Sequence, residues 1–245
     1  MNRDFNTVFW KEWKEILSER LKGRSSGGRN PWILILVLGV FLPWRIGATF
    51  GQGAQMLIFA FLPVIVISVA IADSFAGERE RHTLETLLAS RLSDRDILFG
   101  KIAAAITYAW LLALLCALVG MVTVNVTHGN GKLLLPDAQG ILILLVLPPL
   151  AGGLMATVGV LVSLHASTVR QAQQTLMTGF MVLFMAAFFG ARSAPNEWRV
   201  WFFKAVETWG ATQLTLTGAG ILAAIDLVVL GVAMARFQRS RLVLD

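Results

Sequence analysis

Apolar residues along this chain gather into six runs, each near the roughly 20 residues that a helix needs to cross hydrocarbon. The expected spans are about Trp32–Thr49, Ala54–Phe75, Ile97–Val124, Gly140–Leu164, Thr175–Ala191 and Gln213–Ala235. Polar stretches between them fall into two kinds. Most are short turns, but two are amphipathic at helical spacing. Phe5, Val8, Phe9, Trp13, Ile16, Leu17 and Leu21 form one stripe ahead of the first span, with Lys11, Glu12, Lys14, Glu15, Ser18 and Glu19 opposite. A helix of this kind, with Trp10 and Trp13 close to a span, suits the membrane–water interface; packing on a soluble partner is the alternative. Residues 23–30 (GRSSGGRN) read as a flexible link, and Pro31 is well placed to open the first span.

The second amphipathic stretch is the most charged segment between two apolar runs: GERERHTLETLLASRLSDRDILFGK, from Gly77 to Lys101. Leu84, Leu87, Leu88 and Leu92 fall on one helical face, with Glu78, Glu80, Arg81 and Glu85 on the rest. The leucine stripe can pack on the chain's own spans, rest among headgroups, or dock on a partner. A further aromatic segment, Pro195–Trp209, carries Trp198, Trp201, Phe202, Phe203 and Trp209, and reads as an interfacial or re-entrant helix.

Composition agrees with a polytopic membrane protein: 56% of residues are hydrophobic and mean hydropathy is +0.68. Six spans use up most of 245 residues, so a soluble catalytic domain does not fit beside them. The net charge of +6 is informative by position and does not point to nucleic acid. Sixteen Lys and Arg fall on the side that holds the N-terminal segment, the Glu78–Lys101 loop, Arg170 and the tail. Five fall elsewhere: Lys132, Arg192, Arg199, Lys204 and Arg45 at or within the membrane. The positive-inside rule then makes both termini and the charged loop cytoplasmic. The charged residues at positions 3–29 do not read as a cleavable signal peptide. Cys116 is the single cysteine, so no intramolecular disulfide is possible.

Enzymatic signatures are missing. A phosphate-cradling loop requires GxxxxGK and a hydroxyl residue; Gly129-Asn130-Gly131-Lys132-Leu133 has neither the spacing nor the hydroxyl. His82, His128 and His165 fall in three separate loops, which argues against a shared metal site. Asn125-Val126-Thr127 is a glycosylation sequon by spelling only. Two charges stand inside spans, Arg45 and Asp226, where each costs roughly 2.5–3.5 kcal/mol on insertion scales and calls for a partner. They could pair with each other; alternatively Arg45 snorkels outward and Asp226 faces a pathway. Gly152, Ala156 and Gly159, with Gly218, Gly220 and Gly231, would permit close helix contacts.

The run Glu-Arg-Glu-Arg-His-Thr-Leu-Glu-Thr-Leu-Leu, then Ser90 and Gly100-Lys101, resembles the first cytoplasmic loop of ABC-2-type transporter permeases, exporters of the type V fold. Arg91 departs from the pattern, where the family usually has proline. Ser167, Arg170, Ala172, Gln173 and Gln174 in the second cytoplasmic loop, residues 165–174, resemble the family as well. The resemblance implies an all-α protein of six transmembrane helices, with an N-terminal elbow helix in residues 1–30 and a permease domain in 31–245. It implies a coupling helix at 78–92 and an outer aromatic segment at 192–210 that would lie over the pathway. The implied ATPase interface comprises Glu78, Glu80, Arg81, Thr83, Leu84, Glu85, Leu87, Leu88, Ser167, Arg170 and Gln173. The implied partners are a separate ABC ATPase that binds ATP and Mg, a second permease copy or a sister permease, and the bilayer of a bacterial or archaeal cell membrane. No cofactor is expected in this chain itself. Competing readings are an ion-coupled secondary transporter or channel, and a membrane scaffold that does not transport.

Overall fold

The computed structural model describes residues 2–21, 31–83 and 91–237, and every regular element among them is helical. An N-terminal helix, Asn2–Leu21, precedes six helices long and apolar enough to cross a membrane: Pro31–Thr49, Gly53–Glu80, Asp94–His128, Ala138–His165, Val169–Ser193 and Thr208–Arg236. These correspond to the six expected runs, extended by a few residues of polar helix at most ends.

Caps set where the helices begin. Ser93, Asp137 and Thr168 each stand in extended backbone just ahead of a span and accept a hydrogen bond from the amide three residues on, Asp96, Gly140 and Gln171 respectively. The four orphan amides of a helix start are thereby partly satisfied within the sequence itself. The first span is less regular: its Ile35–Phe41 segment is π-helical, and Thr123 Oγ1 donates to Gly39 O at 2.9 Å. The last helix runs Asn196–Arg236 but kinks at Gly210, whose φ of 71° lies in the left-handed region that glycine tolerates. The expected aromatic helix is therefore present, joined to the sixth span by that kink; Trp198 and Trp209 on it are exposed.

The core lies among the second, third and fourth spans, around Phe59, Ile67, Ile71, Phe75, Ile97, Cys116, Ile143 and Val160. Small residues bring the helices together. A Cβ at Gly152 would lie 2.9 Å from Ile67 Cδ1, and one at Gly159 would overlap Ile71 Cγ2. Within this chain the close contacts expected form at this glycine pair, whereas Gly218, Gly220 and Gly231 meet nothing within 4 Å among the described residues. Polar joints close the end away from the charged loops. Asp137 accepts from Gly53 N at 3.3 Å, and the Asn125 amide both donates to Leu134 O and accepts from Leu134 N.

Candidate functional site

Charged residues collect at one end of the bundle, where the end of the second span's helix lies beside the loop between the fourth and fifth spans. The second span's helix continues through Glu80, so Glu78 and Glu80 belong to it and not to a separate helix starting at 78. The helix stops at Arg81, and His82 follows with a φ of 56°. Thr83 donates from its amide and its hydroxyl to Glu78 O, at 2.9 and 3.2 Å, which closes the helix end. Leu84, Glu85, Leu87 and Leu88 lie outside the described residues.

Two side chains of the second span tie one loop to the other. Arg79 donates from both guanidinium nitrogens to carbonyls at the end of the fourth span, Ala166 O at 2.7 Å and Leu164 O at 2.8 Å. Glu80 Oε1 accepts from Val169 N at 2.9 Å, placing a carboxylate on the first amide of the fifth span, where the helix dipole favours negative charge. Deeper in, Ser163 Oγ donates to Ala72 O at 3.0 Å and accepts from Ala76 N and Phe75 N. The second loop holds its own shape as well, since Ser167 donates from amide and hydroxyl to Gln171 Oε1. Ser167 and Arg170 are exposed, and Gln173 is half-buried.

Beneath this surface sits a buried ion cluster. Lys101 Nζ donates to Glu12 Oε1 at 2.9 Å, Glu78 Oε1 at 3.0 Å and Ser74 O at 3.1 Å, with the lysine side chain only 2% exposed. An ammonium has three donors and here each has an acceptor. The ammonium also lies 5.3 Å from the centre of the Phe75 ring, which in turn packs on Phe237 at the end of the sixth span. Lys11 adds a looser charge 3.6 Å from Glu78, and Arg81 bridges Asp73 at 3.1 Å and Glu15 at 3.5 Å from a half-exposed position. Glu12, expected on the solvent face of the N-terminal helix, is therefore turned inward. The helix packs through Val8, Glu12 and Trp13, while Trp10 points out. Glu12 lies one helical turn from Val8, so it is buried with the stripe residues Val8, Trp13 and Ile16 that pack on the core.

The two charges expected inside spans do not meet. Arg45 is exposed on the first span, and Asp226 lies against the fourth span, where a Cβ at Gly153 would come 3.0 Å from its Oδ2. Its Oδ1 is buried without a hydrogen-bond partner among the described residues.

The family model described as ABC-2 type transporter matches residues 3–206, which take in the N-terminal helix, both charged loops and the buried cluster. The chain belongs to the ABC-2 type transporter family. No curated protein matches it. As an ABC-2 member with six apolar helices, it is a multi-pass membrane protein and the transmembrane subunit of an ABC transporter. Glu12, Asp73, Arg79, Ser163 and Lys101, absent from the expected interface, prove to organise the loop-bearing end of the subunit. Lys101 carried the one visible signal, a lysine several residues inside an apolar run.

Proposed function

We propose that this chain is the permease of an ATP-driven exporter, working as a dimer with itself or a sister permease and taking its energy from a separate ATPase. Residues 78–92 and 165–174 form the contact with that ATPase. Leu84, Leu87 and Leu88 provide an apolar knob, with Glu80, Arg81, Thr83 and Glu85 setting its register beside Ser167, Arg170 and Gln173. ATP and Mg bind the partner, and both loops and both termini face the cytoplasm of a bacterial or archaeal cell.

The observation that supports this reading most is the tie between the loops by Arg79 and Glu80. Two separate turns would deform independently under load. Turns joined by charge-assisted hydrogen bonds move together, which is what a docking surface needs in order to pass displacement to the spans. The test is a mild-detergent pull-down of the tagged chain from its native host, followed by mass spectrometry. A stoichiometric Walker-motif ATPase is expected, lost in the folded Leu87→Asp, Leu88→Asp double variant. Binding that survives the double variant overturns the interface.

The Asp226 Oδ1, buried without a hydrogen-bond partner among the described residues, favours an ion-coupled carrier as the second reading. A folded preparation that captures no ATPase, yet transports in an Asp226-dependent manner, would establish it.

A further inference from the structure

Gly100 and Lys101 are part of the motif through which the chain resembles its family, yet they lie past the loop, in the third span's own helix. Their surroundings explain why both residue types are needed. A Cβ at Gly100 would come 2.6 Å from Val8 Cγ1 and 3.3 Å from the backbone nitrogen of Phe9, so only glycine lets the N-terminal helix lie this close. The next residue then reaches that helix through Glu12, and the second span through Glu78 and Ser74 O.

We propose that Gly100-Lys101 is a mechanical lock that joins the N-terminal helix to the two helices flanking the loop at 81–93, making that helix a working part of the relay to the spans. The relay role rests on that loop being the ATPase contact. Glu78 is in the last turns of the helix that enters the loop. Lys101 lies about 10 Å inside the helix that leaves it, at 1.5 Å per residue from Asp94. A push on the loop reaches both helices, and a buried ammonium shared by two carboxylates resists their separation, because parting them strands charge away from water. The N-terminal helix must follow through Glu12. Lys101 acts as a positioning residue. Arg81, half-exposed between Asp73 and Glu15, is a yielding outer tie, since pairs in water hold weakly.

The experiment uses the full chain with its co-purified ATPase in phosphatidylethanolamine–phosphatidylglycerol nanodiscs. Spin labels replace the exposed Lys14 and Arg95, both outside the proposed ATPase contact, on a Cys116→Ala background. The unaltered lock should give one narrow label-to-label distance that ATP with vanadate does not change. Glu12→Gln leaves Lys101 paired with Glu78, so folding is preserved, and Gly100→Leu wedges the helices apart without touching a charge. Both should broaden the distance and lower ATP turnover about tenfold, mid-range for coupling between sites, at unchanged ATPase stoichiometry. Unchanged distance in both variants overturns the lock, and a broadened distance with full turnover overturns its part in the relay. If the parent chain captures no ATPase but keeps the narrow distance, the ATPase reading of the loop falls and the lock stands.

Discussion

The second and fifth spans are both apolar helices of one bundle, yet 61% of the second span's most apolar stretch is buried and only 6% of the fifth's. The second span sits among the third and fourth, with glycines opposite its isoleucines and ion pairs at its end. The fifth presents Met181, Val182, Leu183, Phe184 and Phe188 outward, and the sixth does the same with Ile221, Leu227 and Val228. In water such a surface would be intolerable, but lipid tails cover it without a hydrophobic penalty. Helix association in a bilayer therefore depends on close packing and polar bonds, and this chain invests both on one side only. That leaves the bare side free for lipid or, under the proposed function, a second permease.

Four substitutions sharpen the contrast. Lys101→Met strands Glu12 and Glu78 as buried acids and should cost about 3–5 kcal/mol, the usual loss for breaking a buried pair from one side. It would be read as a large fall in the thermal midpoint of the detergent-solubilised chain. A variant that melts with the parent would show that the cluster is not structural. Next comes Gly159→Ala, which presses a methyl into Ile71 and should cost roughly 1–3 kcal/mol by overpacking, seen in the same melt. The smallest effect belongs to Gly179→Ala and Gly218→Ala on the bare spans, which meet nothing within 4 Å among the described residues. They should leave the melt within about 0.5 kcal/mol of the parent, as substitutions away from packed contacts do. A marked loss of dimer at unchanged melting would place those glycines in a subunit contact.

Span number and position were legible because hydrocarbon thickness imposes one rule on every crossing helix, and the six runs satisfy it openly. Helix starts were also written locally, in Ser93, Asp137 and Thr168 ahead of their spans. The site was legible only in part. Motif residues marked the two loops, but nothing local distinguished Arg79, which binds the second loop, from its neighbour Arg81, which stays half in solvent. Glu12 was misplaced because an apolar stripe marks only the greasy part of the buried face, and a charged residue one turn from Val8 can share that face when a distant partner meets it. The glycines were misread as one class for a similar reason, since a missing side chain creates closeness only where another helix arrives.

By itself, then, the sequence determined that the chain is a six-helix membrane protein with charged loops on one face, because segment length, hydropathy and charge asymmetry act residue by residue. Only the tertiary structure decided which charges pair, which glycines pack and which spans stay bare. Those outcomes depend on residues as far apart as Glu12 and Lys101, whose meeting is set by how the helices lean on one another.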